Sequence, residues 1–398
     1  MIPRISAAQL RLSASRYPVV LLTGPRQSGK TTLCRSVFPD YSYTSLENPS
    51  LREYATQDPI GFLSERSSGA VLDEVQRAPE LFSYIQELVD ASPEPGRFIL
   101  TGSENLTLSG AVSQSLAGRA AVHGLWPLSF EEIASSEKLD TQGQIPASLD
   151  ELLFTGGYPR IYDRGLNAND WLGNYVATYV ERDVRQVLNV SDLLSFQTFL
   201  RLCAGRTGQV LNLSQLGSDA GVSHNTAKSW ISVLEATFVV QRLMPYASQL
   251  AKRLTKAPKL HFVDTGLACF LLGIRSPSEL ETHPLRGPLF ESWCVSEVQK
   301  YLLHRGDRSR LLYYRDQRGL EVDILIERGQ SLIAAEAKSA ATVRDPAFAG
   351  LFALESLLQD SYPAGLKLFL LYGGKERQAR TRATVLGWNR LHRHDWTH

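Results

Sequence analysis

The sequence predicts an α/β protein that begins with a parallel sheet, continues through a helical region and ends in a second α/β unit. Short apolar runs alternate with helix-forming segments in the first third, and amphipathic helical spacing dominates the middle. Longer strand-like runs, such as LLYYRD and EVDILIE, occupy the last third. A chain of 398 residues is also too long for one ordinary core, so several domains are expected.

The first third contains the apolar runs PVVLLT, GAVL and RFILT, each bounded by turn residues. Continuous apolar strands between helices are typical of a parallel sheet that is covered on both faces. We therefore expect a doubly wound α/β domain over residues 1–135. The RFILT strand is expected to lie between the other two. Residues 136–200 are expected to form a helical linker or lid.

A phosphate-binding loop follows the first strand and precedes a helix. Its glycines let successive N–H groups face phosphate oxygens, and the helix N-terminus adds partial positive charge. Lys30 is expected to reach the β- and γ-phosphates, and the Thr31 hydroxyl to reach Mg²⁺. The predicted ATP-binding residues are Gly24, Pro25, Arg26, Gln27, Ser28, Gly29, Lys30, Thr31, Thr32 and Thr101.

A pair of acids ends the GAVL strand. We expect Asp73 to hold Mg²⁺ beside the loop, and Glu74 to orient or deprotonate the attacking water. The next strand ends in the hydroxyl side chains of Thr101 and Ser103, either of which could contact the γ-phosphate or the water. Together these features predict ATP hydrolysis with Mg²⁺ as the cofactor.

GPRQSGKTTL, AVLDEVQ and FILTGS together resemble the AAA-type P-loop ATPases of bacteria and archaea that carry an uncharacterised C-terminal domain. The runs LAGRAAVHGLWPLSFEE, TGGYPR and YVERDV are similar to the same subgroup, so the resemblance covers nearly the whole chain. The resemblance implies that Arg119 stabilises γ-phosphate charge, in cis or from a neighbouring subunit. It also leaves open a ring-shaped homo-oligomer.

Residues 201–265 look like a winged helix-turn-helix, with the second helix opening at Ser223. Such a helix enters the major groove by its N-terminal end, and the predicted DNA contacts are His224, Asn225, Thr226 and Lys228. Residues 201–259 hold eight lysines and arginines, Lys259 among them, against two acids, a local charge of +6. The alternative hypothesis is that this segment is a protein-interaction module.

Residues 266–398 resemble the restriction-endonuclease-like fold. Asp323, Glu336 and Lys338 form its acid, acid and lysine pattern on two strands, and Glu291 is the helix acid, with Glu297 as the alternative. Two or three carboxylates would make a second Mg²⁺ site, and the lysine would steady charge on a phosphate. Either an active nuclease or a fold that only binds is consistent with this pattern.

The leading hypothesis is an ATPase that couples ATP hydrolysis to action on a partner, and DNA is the first candidate for that partner. A nucleotide-gated nuclease and an ATP-dependent protein scaffold are the alternatives. The net charge of +1 and four scattered cysteines exclude a polycation and a disulfide framework. The sequence shows no signal peptide or membrane-spanning run, so we expect a cytoplasmic protein with no membrane partner.

Overall fold

The structure, a computed structural model, describes residues 2–66, 69–103, 115–180, 193–246 and 257–398. It divides into two compact units. The N-terminal unit is Met1–Leu128 with the short pieces Ala236–Phe238 and Leu303–Gly306. The C-terminal unit is Ser129–Glu235, Val239–Leu302 and Asp307–His398. The domain bounds expected near residues 200 and 265 therefore fall inside one unit.

The N-terminal unit alternates helices with strands. Its elements are α1 (Ser6–Ala14), β1 (Val19–Thr23), α2 (Lys30–Val37), β2 (Ser42–Ser45), α3 (Pro49–Gln57), α4 (Pro59–Ser64), β3 (Ala70–Asp73), α5 (Leu81–Ala91), β4 (Phe98–Gly102) and β5 (Ala120–Gly124). Within the described residues the strands form a parallel sheet in the order β2-β3-β4-β1-β5. Strand β4 lies between β3 and β1, as the sequence predicts.

Alternate residues of β1 are buried on opposite faces of this sheet. Val19 and Leu21 belong to one apolar cluster, together with Phe82 and Ile85 of α5. Val20 and Leu22 belong to a second cluster, together with Leu33 of α2. Both faces of the strand are therefore covered by helices, which explains the continuous apolar runs in the sequence. The predicted doubly wound α/β architecture is confirmed.

The C-terminal unit opens with a helical region. Its helices are α6 (Phe130–Ala134), α7 (Glu137–Thr141), α8 (Leu149–Thr155), α9 (Pro159–Arg164), α10 (Ala168–Tyr175), which continues as one π-helical turn (Val176–Val180), and α11 (Leu193–Ala204). Helix α6 begins with a capping box, in which the Ser129 and Glu132 side chains satisfy each other's backbone amides. Residues 181–192 of the expected helical linker lie outside the described residues.

Two helices joined by a tight turn follow, and then strands of a larger sheet. These elements are β6 (Gln209–Val210), α12 (Leu213–Asp219), α13 (His224–Ala236), β7 (Val240–Pro245) and β8 (Lys259–Phe262). The Ser223 hydroxyl accepts from the Thr226 amide at 3.1 Å and caps α13 as expected. The helix-turn-helix order predicted for this segment is present.

The last third adds α14 (Thr265–Leu271), α15 (Pro277–Glu281), α16 (Arg286–His304), β9 (Leu311–Arg315), β10 (Glu321–Arg328), β11 (Ser331–Lys338), α17 (Ala349–Leu358), β12 (Leu366–Tyr372), β13 (Arg377–Ala379) and β14 (Thr384–Gly387). Strands β9, β10 and β11 are antiparallel neighbours, whereas β12 lies parallel to β11 after the crossover helix α17. The helix, three strands, helix and strand agree with the expected mixed α/β fold.

One sheet connects the helix-turn-helix segment to the last third. Its order among the described strands is β13-β14-β12-β11-β10-β9-β7-β8-β6. Strand β7 is parallel to β9, with Met244 opposite Leu312. The sequence treats these segments as separate domains, but the backbone hydrogen bonds of β7 and β9 join them.

Helices long and apolar enough to cross a bilayer are absent from the part of the chain that the structure describes.

Candidate functional site

The phosphate loop lies between β1 and α2, where a tight backbone path requires glycine. Gly24 has φ 155°, and a Cβ there would come within 2.0 Å of the Leu125 carbonyl oxygen. Gly29 has φ 94° in the left-handed region, directly before the first residue of α2. Because side chains at these positions would clash or strain the backbone, only glycine permits this curl.

Lys30 and Ser28 place polar groups inside the loop. The Lys30 ammonium donates to the carbonyl oxygens of Gly24 and Pro25, both at 2.9 Å. Burial lowers the pKa of Lys30 to about 8, although the carboxylates of Glu74 and Asp73 oppose that shift. The Ser28 hydroxyl is buried and has no hydrogen-bond partner among the residues described. A loop with a buried cation and an unpaired donor suits a phosphate ligand.

Arg4 anchors the loop to the rest of the N-terminal unit. Its guanidinium donates to the Ser28 carbonyl oxygen at 2.6 Å and to the Trp126 carbonyl oxygen at 2.7 Å. The planar guanidinium can bridge two carbonyls in a fixed geometry. Arg4 therefore holds the outer side of the loop against the segment that follows β5.

Asp73, at the carboxyl end of β3, is surrounded by hydroxyl groups. Thr31 donates to both carboxylate oxygens, at 3.1 and 3.0 Å, and Tyr43 donates to Oδ2 at 2.8 Å. Thr101 also donates to Asp73. Burial, followed by the hydrogen bond to Asp73, raises the pKa of Tyr43, so its hydroxyl stays protonated. These donors are neutral and leave the charge of the carboxylate in place.

Glu74 follows Asp73 in the left-handed conformation, with φ 58°. Its Oε2 accepts from Ser103 Oγ at 2.9 Å and from the Gln76 side-chain amide. Gln76 Nε2 also donates to Ser103 at 3.3 Å. A strained backbone and two side-chain donors together fix the direction of this carboxylate. Ser103 and Thr101 thus contact the two acids. The sequence predicted contact of these hydroxyls with the γ-phosphate or the attacking water.

Arg119 lies at the amino ends of the parallel strands, whereas the phosphate loop follows the carboxyl end of β1. It directly precedes β5, whose first residue Ala120 lies beside Val19 at the start of β1. The five residues of β1 span roughly 16 Å at about 3.3 Å per residue, and the loop follows their far end. Arg119 Nη2 donates to Asp90 Oδ2 at 2.8 Å. Arg119 therefore lies away from the loop of its own chain and pairs with Asp90, and its role at a γ-phosphate stays a prediction.

The predicted DNA-contact residues lie at the N-terminal end of α13. His224, Asn225 and Lys228 are exposed, whereas Thr226 is half-buried against the capping Ser223. The basic surface is smaller than the sequence suggests. Arg206 pairs with Asp219, and Arg242 pairs with Glu235. Lys259 is buried. The remaining lysines and arginine of the basic run, Lys252, Arg253 and Lys256, lie outside the described residues.

Lys259 lies among the acids of the C-terminal unit and not on the basic surface. Its side chain is 1% exposed, and its ammonium lies 2.7 Å from Glu291 Oε1, 2.5 Å from Glu321 Oε1 and 3.1 Å from Asp323 Oδ1. Burial alone would lower the pKa of Lys259, but the carboxylates of Asp323, Glu291 and Glu321 together raise it. The lysine is therefore charged and fully paired.

The remaining acids of the predicted second metal site are only partly paired, since the buried Oε2 of Glu336 has no hydrogen-bond partner among the described residues. Asp323 Oδ2 accepts from the Ala337 amide at 2.9 Å, and Glu336 Oε1 accepts from Lys338 at 2.6 Å. Burial, then the nearby Asp323 carboxylate, raises the pKa of Glu336 to about 8. The alternative acid Glu297 accepts from the Phe130 amide at 2.8 Å and pairs with a different lysine.

No group of three or more His, Cys, Asp or Glu side chains in the described ranges is placed to hold a metal ion. The magnesium site expected at Glu291, Asp323 and Glu336 stays a prediction. The Lys259 ammonium occupies the point on which the carboxylates of α16 and β10 converge.

Three site residues were not found from the sequence: Arg4, Tyr43 and Gln76. Arg4 and Tyr43 act through contacts between segments distant in the chain, such as Tyr43 with Asp73. A sequence signal exists only for Gln76, which lies two residues after Glu74 and can reach the same carboxylate.

Three family models match the chain. A model described as an AAA domain matches residues 16–134. Two described as domains of unknown function, DUF8612 and DUF4143, match residues 146–278 and 286–391. The AAA match covers the parallel sheet and the loop, and the other two fall in the C-terminal unit.

Uncharacterised proteins of Mycobacterium tuberculosis and Mycobacterium bovis are each 33% identical to this chain over 329 residues, covering 81% of it and 71% of the relative. An uncharacterised protein of Haemophilus influenzae is 25% identical over 183 residues, covering 44% of this chain and 46% of that protein. The fold and the loop define a nucleotide-binding protein of the P-loop class. The chain belongs, with its mycobacterial relatives, to a family of AAA-type P-loop ATPases of bacteria and archaea with a C-terminal region of unknown function.

Solved structures show more distant likeness. A Walker-type ATPase of Pyrococcus abyssi covers 67% of this chain and 94% of its own, with 14% identity and a TM-score of 0.46. The DnaA protein of Aquifex aeolicus bound to AMPPCP covers 58% of this chain and 86% of its own, with 19% identity and a TM-score of 0.32. TM-scores this low carry no argument about the function of this chain.

Proposed function

We propose that the N-terminal unit binds ATP with Mg²⁺ and hydrolyses it, and that the C-terminal unit uses this cycle to act on a partner. The observation that carries the proposal is the pair Asp73 and Glu74 at the end of β3. One carboxylate faces the Thr31 hydroxyl, and the other is held by Ser103. An acid near the Mg²⁺ ligand of the loop and a second acid that orients water are the groups used in hydrolysis of the phosphoanhydride bond of ATP.

Thr31 and Asp73 would hold the Mg²⁺ ion, since hydroxyl and carboxylate oxygens are its preferred ligands. When bound, Mg²⁺ neutralises charge on the phosphates and orients them. The three hydroxyls around Asp73 orient its carboxylate without cancelling its charge. Lys30 and the unpaired Ser28 hydroxyl supply the loop with donors to phosphate oxygens.

Glu74 is the group that accepts a proton from the attacking water. A general base must point at its proton donor before its pKa matters. Ser103 and Gln76 both donate to Oε2 of Glu74, which leaves Oε1 to receive the proton. Ser103 and Gln76 are therefore positioning residues for this step.

ATP turnover and nucleotide affinity, measured on the whole chain, test this proposal. Lys30→Ala should lose both, because the loop loses its cation. Glu74→Gln should keep ATP affinity and lose turnover, because glutamine accepts no proton at neutral pH. Undiminished turnover in both variants would contradict the assignment.

We propose DNA as the partner, contacted by the N-terminal end of α13. Three observations support this choice: the turn between α12 and α13, the hairpin strands β7 and β8, and the exposed side chains of His224, Asn225 and Lys228. The ATPase rate with and without duplex, single-stranded and branched DNA is the test. Stimulation by any of these supports the proposal. Absence of both stimulation and DNA binding at low salt would favour a protein-binding scaffold.

We also propose that Arg119 completes the nucleotide site of a neighbouring subunit in a homo-oligomer. Its position at the sheet edge away from its own loop supports action in trans. Arg119→Ala and Glu74→Gln proteins should each be inactive alone and regain part of the turnover when mixed, since a mixed interface restores one intact site. No recovery in a mixture shown to co-assemble would contradict this role.

A further inference from the structure

The Lys259 ammonium has three N–H donors, and three carboxylates surround it. Glu291 comes from α16, and Glu321 and Asp323 come from β10, so two elements aim negative charge at one point. Convergent carboxylate oxygens are the arrangement that binds Mg²⁺ or Ca²⁺ in proteins. In this chain a lysine side chain occupies that point.

The main chain fixes Lys259 in place. Its backbone is paired with Leu243 of β7 on one side and with Val210 of β6 on the other. The Tyr313 ring lies 5.5 Å from the ammonium and covers it further. Because β8 is an internal strand of the sheet, withdrawing the ammonium from the acids would break hydrogen bonds on both sides of the strand.

The neighbouring motif residues are also partly paired. Glu336 Oε1 accepts from Lys338, whereas its buried Oε2 has no hydrogen-bond partner among the described residues, and Arg315 lies 3.1 Å from Glu321 Oε2. Three cations therefore face four carboxylates within this cluster, which leaves one negative charge in excess before any ion binds. A divalent ion entering this cluster would meet an ammonium at contact distance, which repels it strongly at low dielectric.

We propose that Lys259 replaces the divalent cation of a nuclease-like site. The C-terminal unit then keeps the layout of a metal-dependent nuclease, takes up no Mg²⁺ at these acids, and does not hydrolyse nucleic acid with them. Removal of the ammonium leaves the carboxylates converging on a point that no longer holds a cation, so a Lys259→Ala protein gains a divalent-cation site.

Mn²⁺ titration of the whole chain without nucleotide, read by electron paramagnetic resonance of the free ion, tests both statements. An Asp73→Asn background removes the candidate site in the N-terminal unit from the count. The parent on this background should bind no Mn²⁺ that depends on Asp323. Adding Lys259→Ala should create one Mn²⁺ site per chain, and adding Asp323→Asn as well should abolish it.

Lys300→Ala is the matched control. Lys300 is a buried lysine of α16 whose ammonium lies 3.0 Å from Glu297 Oε1, a carboxylate that is not one of the three around Lys259. Its removal should create no Mn²⁺ site. A site gained equally in this control would show that loss of any buried lysine suffices, which overturns the proposal.

Lys259→Ala removes the ammonium that three carboxylates share, so a second variant protects the test against misfolding. Lys259→Ala with Glu321→Gln removes one negative charge and keeps Glu291 and Asp323 as ligands. Far-ultraviolet circular dichroism identifies which variant is folded. A folded variant that binds no Mn²⁺ overturns the latent site. Independently of any Lys259 variant, Mn²⁺ binding by the parent that Asp323→Asn removes overturns the replacement itself.

Discussion

Lys30 in the N-terminal unit and Lys259 in the C-terminal unit are both buried, but different oxygen atoms surround their ammonium groups. Lys30 donates to two peptide carbonyls, each at 2.9 Å. Lys259 lies among three carboxylates. Carbonyls are dipoles and leave the positive charge in place, whereas carboxylates cancel it.

The pKa values of the two lysines move in opposite directions for this reason. Burial lowers the pKa of Lys30 to about 8. Burial acts in the same direction on Lys259, but its neighbouring carboxylates raise the pKa above its ordinary value. A buried cation that lacks a counter-charge is ready for an anionic ligand, and one that is fully paired holds structure. The difference separates the proposed phosphate site from the paired cluster around Lys259.

The largest expected difference between the two sites is the effect of replacing their aspartates, Asp73 and Asp323. Asp73→Asn should lower ATP turnover by about 100-fold, as loss of one preorganised electrostatic group commonly does. Asp323→Asn should leave turnover unchanged, because the account gives Asp323 no part in ATP chemistry. Steady-state phosphate release measures both, and thermal unfolding confirms that each protein is folded. Equal losses in the two variants would remove the distinction between the sites.

Replacing each lysine by methionine tests the same contrast through stability. Lys259→Met should lower the free energy of unfolding by about 3–5 kcal/mol, because it leaves buried carboxylates uncompensated. Lys30→Met should leave that free energy unchanged or raise it, because a poorly compensated buried charge is removed. Urea unfolding followed by tryptophan fluorescence reports chiefly on the C-terminal unit, which holds every tryptophan except Trp126.

The stability of either methionine variant can contradict the contrast between the two lysines. A Lys259→Met protein as stable as the parent would show that the carboxylates tolerate loss of their cation. A large loss in Lys30→Met, measured by hydrogen exchange in β1 and α2, would show that Lys30 also holds structure.

Ser103→Ala should lower kcat by about 10-fold, the equivalent of about 1.5 kcal/mol for one hydrogen bond to a charged group. The affinity for ATP should not change, since Ser103 acts through Glu74 alone. Ser103→Thr keeps the hydroxyl and should recover most of the rate. A fall in ATP affinity with kcat preserved would show a merely structural role for this serine.

Lys228→Ala gives the smallest expected effect. If α13 contacts the DNA backbone, the slope of log affinity against log salt concentration should fall by about 1. Lys367→Ala removes an equally exposed lysine from β12 and serves as the charge-matched control. Equal changes in the two variants would point to overall charge and not to a surface on α13.

The sequence predicts features that depend on local order along the chain. The loop, its strand and helix, and the acids after β3 follow one another within short segments, so pattern and spacing identify them. The same holds for the capped helix α13, whose Ser223 hydroxyl accepts from an amide three residues on. The element order of the chain was predictable for this reason.

Features that depend on pairing between distant segments were not predictable. Lys259 follows a run of basic residues, so its sequence neighbours favoured a DNA surface. Its strand neighbours are instead Val210 and Leu243, which turn its side chain toward Glu291 and Asp323. The position of Arg119 depends on strand pairing in the same way, because the register of β5 against β1 places it at the amino ends of these strands.

Counting the Mn²⁺ ions bound per chain, with and without a non-hydrolysable ATP analogue, tests the account most directly. We expect no bound Mn²⁺ without nucleotide and one ion with it. We expect Asp73→Asn to abolish that ion and Asp323→Asn to leave it. An ion bound without nucleotide and lost in Asp323→Asn would contradict the replacement of a cation by Lys259. A nucleotide-dependent ion that persists in Asp73→Asn would contradict the assignment of the N-terminal site.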